Sequence, residues 1–217
     1  MMYYKDNGYI LNKDGVCTVT KNDAVIPIEH KNSIISVRFN ENVTEVNKEL
    51  FSCCENLLSV ELTDNITSIN DKAFLCCIRL QSIIIPNSVI SIGDEAFRLC
   101  LSLKSIIIGN SVNRINYSTF ENTAIKSITI PNNIVSIKYN AFKNCYNLTE
   151  VNILDGVKEI LPNAFKNCYN LRDVYIPNSV TSICEEAFLS CDKIIIHCDK
   201  DSYTEQYCIN NNFVSFE

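Results

Sequence analysis

The 217-residue chain has no tryptophan, two methionines, two histidines and five glycines. So little glycine leaves hardly any room for a phosphate-cradling loop, and neither a nucleophile elbow nor an HExxH zinc motif occurs. His30 and His197 stand near opposite ends of the sequence and make no catalytic pair in an elongated chain. The longest apolar runs are a few residues, too short for a membrane-spanning helix. An excess of basic charge is missing as well: 19 Lys and Arg face 25 Asp and Glu, interspersed, for a formal net charge of -6. A nucleic-acid partner would need a basic stripe; Lys104, Lys126 and Arg172 could form one only locally, and ordinary solvated surface explains them. Met1 to Leu11 holds Lys5, Asp6, Asn7 and Gly8 and no apolar core of signal-peptide length. A cytoplasmic location is therefore the expectation, with the cell surface or secretion by a non-standard route as the alternative.

What the chain does have is a ruler. Phe51, Phe74, Phe97, Phe120, Phe142, Phe165 and Phe188 follow at intervals of 23, 23, 23, 22, 23 and 23 residues. A period this short cannot be an independent domain; it is one turn of a solenoid, in which each repeat buries its apolar face only against its neighbours. Three residues after the phenylalanine stands Cys54, Cys77, Cys100, Cys145, Cys168 or Cys191, with Thr123 the exception. Six after it stands Leu57, Leu80, Leu103, Leu148, Leu171 or Ile194. Alternating apolar pairs such as Ile83 with Ile85 and Val174 with Ile176 then read as a short strand with one buried face. Pro86, Gly109, Pro131 or Pro177 ends that strand, and a second apolar pair such as Val89 with Ile92 follows. Segments like Gly93-Asp94-Glu95-Ala96-Phe97 predict one helical or 3₁₀ turn before each phenylalanine.

These residues carry a resemblance. IPNSVISIGDEAFRLCLSLKSIII at 85–108 and IPNSVTSICEEAFLSC at 176–191 are similar to the BspA-like subclass of leucine-rich repeats. The likeness extends over about residues 28 to 217. It implies a right-handed, horseshoe-like solenoid with one parallel β-sheet and short helical or 3₁₀ turns opposite, used for protein contact or adhesion, without catalysis or cofactors.

An open-ended array would expose core and strand edges, so covers are expected at both ends. Tyr9–Leu11 and Val16–Val19, around Asn12-Lys13-Asp14-Gly15, predict a β-hairpin cap within residues 1–27. Seven or eight coils should fill 28–197, the first one lacking its phenylalanine and cysteine. Residues 198–217 should form a C-terminal cap, with a capping box at Ser202 and Glu205 opening a helix over about 203–210 and a last strand over 213–216.

The twelve cysteines admit three readings. Six of them share one column, as a small apolar side chain stacked inside each coil would. Stacked side chains point in parallel, so a reduced ladder is favoured over disulfides, although the coil spacing alone permits bridges. Cys53-Cys54 and Cys76-Cys77 mimic a four-thiolate metal site, but adjacent residues diverge from one centre. No metal is expected. The acids Glu185-Glu186 and Asp94-Glu95 suit the start of a helical turn and need no acid–base role. Sequons at Asn42, Asn65, Asn116 and Asn147 are as well explained by an asparagine-rich composition.

If the residues nine and eleven after each phenylalanine face the core, those at eight, ten and twelve face outward. The eight column reads Ser36, Ser59, Ser82, Ser105, Ser127, Glu150 and Asp173; the ten column reads Arg38, Glu61, Ile84, Ile107, Thr129, Asn152 and Tyr175. Two exposed isoleucines on adjacent coils with a polar rim make the ten column the candidate surface for an unidentified protein partner. The alternative is a structural or self-associating module, and the chain is expected to be a monomer or a weak self-associator.

Overall fold

The computed structural model describes residues 4–216; Met1–Tyr3 and Glu217, parts of the two expected caps, lie outside the described residues. An N-terminal meander, β1 (Tyr4–Asp6), β2 (Tyr9–Leu11) and β3 (Val16–Val19), is antiparallel and adds one strand to the expected hairpin. A single helical turn, α1 (Ile28–Lys31), leads into the coils. In most coils a longer strand precedes a two-residue one: β4 (Ser36–Phe39) with β5 (Glu45–Val46), β6 (Ser59–Glu61) with β7 (Ser68–Ile69), and β8 (Ser82–Ile84) with β9 (Ser91–Ile92). Then come β10 (Ser105–Ile107), β11 (Ser127–Ile130) with β12 (Ser136–Ile137), β13 (Glu150–Ile153) with β14 (Glu159–Ile160), β15 (Asp173–Tyr175) with β16 (Ser182–Ile183), and β17 (Ile195–His197). The chain closes with α2 (Tyr203–Asn211) and β18 (Val214–Phe216). Longer strands pair in parallel with longer strands and short with short, which makes a parallel β-solenoid of about eight turns.

The phenylalanines form one continuous internal stack. Neighbouring rings lie 5.2 to 5.7 Å apart and within 19° of parallel from Phe51 to Phe188. The in-register coil repeat holds the rings near-parallel, at centroid separations within the range of stacked aromatic pairs. Both ends of the stack are closed edge-on, by Phe39 at 88° to Phe51 and by Phe213 at 79° to Phe188.

Among the described residues, the helical turn expected before each phenylalanine exists once, as the 3₁₀ segment Glu185–Phe188. Elsewhere the residues two before and two after the phenylalanine are left-handed: Glu49 and Cys53, Lys72 and Cys76, Glu95 and Leu99, Ser118 and Asn122, Asn140 and Asn144, Asn163 and Asn167. The reversals aim alternate amides along the solenoid axis instead of back along the chain. Glu95 N donates to Tyr117 O, Phe97 N to Thr119 O and Leu99 N to Glu121 O, each at 2.9 Å and each to the next coil. A helix would have used those donors internally. Since a left-handed non-glycine residue costs about 1–2 kcal/mol, the inter-coil bonds and the buried stack must offset that strain in every repeat.

The six cysteines of the column are buried, and all twelve cysteines are free. Five of the six ladder thiols donate to the phenylalanine carbonyl of the preceding coil: Cys77 to Phe51, Cys100 to Phe74 and Cys168 to Phe142 at 3.2 Å, Cys145 to Phe120 and Cys191 to Phe165 at 3.1 Å. Thr123 fits the same place because its hydroxyl finds an acceptor too, Phe120 O at 2.9 Å. Burial pushes the Cys54 thiol up to about 12 and Cys145 to about 11, and raises Cys77, Cys100 and Cys168 as well. Protonated thiols are neither nucleophiles nor metal ligands. In the two vicinal pairs the side chains part as adjacent residues should, Cys54 and Cys77 inward, Cys53 exposed and Cys76 half-buried.

At the C-terminal end, half of the capping box forms. Glu205 N donates to Ser202 Oγ at 3.1 Å, but the Glu205 carboxylate accepts from Asp201 N at 2.7 Å rather than from Ser202 N. Asp201 is left-handed, φ 59°, which turns its amide toward the helix. α2 ends on left-handed Asn212, and the turn places Phe213 against Phe188.

Candidate functional site

The ten column stands on one face of the solenoid, carried by the longer strands. Arg38 is in register with Glu61, Ile84 with Ile107, and Thr129 with Asn152 and then Tyr175. The alternation that put these positions outside also put Ile83, Ile106, Ile128, Val151 and Val174 inside, where they are buried. Ile84 and Ile107 remain 63% and 59% exposed, far above the burial of any neighbouring core position. At the N-terminal end the column is charged, with Arg38 Nε 3.6 Å from Glu61 Oε2, an exposed pair of little energetic weight. The serines of the eight column run beside it, and Glu150 and Asp173 replace them toward the C-terminal end.

The ladder of this face is interrupted twice. No pairing joins β6 to β8, nor β10 to β11, so β8 and β10 form a two-stranded unit between two seams. The second seam falls where the sequence is one residue short: Thr123-Ala124-Ile125 replaces the usual cysteine-to-leucine spacing. Lys126 N reaches Lys104 O only at 3.4 Å, against 2.8 to 3.0 Å for the equivalent bonds at Leu58, Lys104, Thr149 and Arg172. Each seam opens into a cleft, about 380 Å³ beside Glu61, Asp64 and Ile84 and about 400 Å³ beside Ile107, Thr129 and Glu150. Val60 and Leu62, expected inside, are only partly buried at the first seam.

Sequence reasoning missed three features. His197 belongs to the ten column, in register with Tyr175 and stacked on it at 4.3 Å, with Nε2 2.9 Å from Asp173 Oδ1. Counting from Phe188 hides this, because the last coil reaches its strand one residue early: Ile195 pairs with Asp173 although Ile194 keeps the usual spacing from Cys191. An exposed pair, Tyr146 stacked on Tyr169 at 5.6 Å, occupies the position after the cysteine. On the phenylalanine side, buried Glu121 lies 3.2 Å from Arg98 Nε and 3.7 Å from Lys143 Nζ, while Glu95 takes Arg98 at 2.8 Å and Lys72 at 3.8 Å. The Glu95 bond, with Glu121 nearby, holds the Arg98 guanidinium in its charged form. This network ties neighbouring coils together. Among the sequons, Asn116 is half-buried and spends its amide on Ile92 O at 2.8 Å, whereas Asn42, Asn65 and Asn147 are exposed.

Among the described residues no group of three or more His, Cys, Asp or Glu side chains could hold a metal ion, and no helix is long and apolar enough to cross a membrane. Lys104, Lys126 and Arg172 are exposed but do not form an unbroken stripe, since Thr149 stands between the last two.

Solved structures with this fold are bacterial leucine-rich repeat proteins. A leucine-rich cell surface protein of Faecalibacterium prausnitzii matches with a TM-score of 0.52 at 21% identity, over 91% of this chain and 88% of that one. A leucine-rich repeat protein of T. pallidum matches with a TM-score of 0.62 at 24% identity, over 75% and 86% of the two chains. One from Bacteroides ovatus gives 0.52 at 19%, over 91% and 69%. At these identities the likeness shows the fold alone. No curated protein matches the chain significantly. The family model described as a BspA type leucine rich repeat region matches in six copies, over residues 29–146 and 67–195. With repeats, ladder and family model in agreement along most of its length, the chain belongs to the BspA-type leucine-rich repeat family.

Proposed function

We propose that this protein is a non-catalytic binding module whose longer-strand face takes a protein partner. Repeats of this kind generally serve protein interaction, and the observation that carries the reading here is the pair Ile84 and Ile107, in register, solvent-exposed and rimmed by serines and charges. Apolar anchors at the centre of a polar rim carry most of an interface's energy, commonly about 2 kcal/mol or more each. The test is the double variant Ile84→Thr, Ile107→Thr against the partner captured from the native source. Binding should weaken at least tenfold while the melting temperature barely moves, because both side chains already face water. Lys158→Gln, outside the longer strands, is the control; Lys138 is less suitable because its amine pairs with Glu159 at 3.3 Å. Retention of the partner by the isoleucine variant would move the interface off this face.

A cell-surface location accords with the description of the F. prausnitzii protein and competes with the cytoplasmic expectation; fractionating the source organism decides between them. Self-association is the second reading. Its end-to-end form meets an obstacle, since the meander and α2 cover the two ends of the core. Light scattering across a concentration series tests it, and a constant monomer mass would remove it.

A further inference from the structure

The two clefts share a chemistry. Each has an apolar wall from the β8–β10 unit, Ile84 on one side and Ile107 on the other, and each has a carboxylate at its rim, Asp64 with Glu61 at the first and Glu150 at the second. No lysine or arginine lines either cleft. Arg38 partly neutralises Glu61, but among the described residues no cation lies within ion-pair distance of Asp64 or Glu150. Lys104 and Lys126 precede β10 and β11 and leave Glu150 unpaired. The clefts flank two strands, so their centres are two strand spacings apart, roughly 10 Å.

Resting on the sheet-face reading, we propose that the partner presents an extended basic–apolar segment: two cationic side chains enter the clefts, and the apolar residues between them lie over Ile84 and Ile107. A lysine or arginine suits such a cleft because its methylenes cover the isoleucine wall while its charged head meets the carboxylate. The spacing selects the backbone. In a polyproline II segment residues i and i+3 share a face about 9 Å apart, close to the separation of the clefts; in a β-strand, same-face residues fall at about 7 and 13 Å and miss it. The segment therefore carries its cations three residues apart and crosses the strands instead of adding to the sheet edge.

The probe is a fluorescein-labelled Gly-Lys-Pro-Ile-Lys-Gly peptide amide, with its Glu-for-Lys twin, titrated with the full chain by anisotropy at low and at moderate salt. The lysine peptide should bind, the glutamate twin should not, and added salt should weaken binding. Asp64→Asn with Glu150→Gln, both exposed positions, should reduce affinity about fivefold to tenfold. Absence of binding up to millimolar peptide, equal binding of the twins, or an unchanged affinity in the carboxylate variant overturns the proposal. The sheet-face reading is judged separately by the native partner: if that partner is lost on Ile84→Thr, Ile107→Thr but kept by the carboxylate variant, the face is right and the basic segment is wrong. If neither variant matters to the native partner, both fall.

Discussion

The phenylalanine side and the strand face of the same coils repeat with different fidelity. Inside, ring follows ring at nearly constant spacing and thiol follows thiol onto the phenylalanine carbonyl of the coil before; only at Thr123 does the hydroxyl turn to the carbonyl of its own coil. Outside, the ten column changes from charged to apolar to polar to aromatic in eight coils, and the ladder beneath it opens twice. A buried position is constrained by identical neighbours above and below, whereas an exposed one answers only to solvent and partner. The inner side therefore maintains the array, and the outer side is where this protein can differ from others of its family.

The harshest way to break the inner side is alkali. The folded-state pKa values of Cys54, Cys77, Cys100, Cys145 and Cys168 lie above their unfolded values, so the native state holds protons that the unfolded chain releases. Stability is then fully present below about pH 9 and falls as pH rises toward 11 to 12, by about 1.4 kcal/mol per cysteine per pH unit. Five such thiols should cost on the order of 7 kcal/mol by pH 10, seen as a steep drop in urea midpoint between pH 8 and 10. A flat profile would place the ladder in contact with water.

Phe97→Ala opens the stack between Phe74 and Phe120 and should destabilise by about 3 to 5 kcal/mol. Urea unfolding measures it, and a loss under about 1 kcal/mol would deny the ring its structural role. Ile84→Thr with Ile107→Thr is the matching change on the outer side; it should shift stability by less than about 1 kcal/mol while abolishing most partner binding. A destabilisation as large as that of Phe97→Ala would make those isoleucines core after all, and the contrast between the two sides would collapse.

Thiol labelling sharpens the comparison within single coils. Native protein should react quickly at Cys53, more slowly at Cys76, and hardly at all at Cys54, Cys77, Cys100, Cys145 and Cys168 until denatured, because each vicinal pair straddles the wall of the coil. Mass spectrometry after a short alkylation pulse reads this directly. The mildest change should be stabilising: Leu99→Gly relieves a left-handed non-glycine residue, φ 61°, for a gain of about 0.5 to 1 kcal/mol. Loss of stability instead would show that the Leu99 side chain contributes more than its backbone costs.

Periodicity alone disclosed the coils, the buried columns and the outward-facing one, because burial in a solenoid is decided by position within the repeat and the chain writes that position down seven times. It also disclosed both caps, through the turn residues Asn12-Lys13-Asp14-Gly15 and the spacing of Ser202 and Glu205. The turns around each phenylalanine were not legible. Asp94-Glu95-Ala96-Phe97 has the composition of a helix start, and only the presence of another coil one repeat away, ready to accept its amides, turned it into an axial ladder with left-handed corners. The first seam, the clefts and the place of His197 were hidden for the same reason: each depends on how one coil registers against the next, a relation between segments that no single repeat encodes, whereas the second seam left a trace in the residue missing between Thr123 and Ile125.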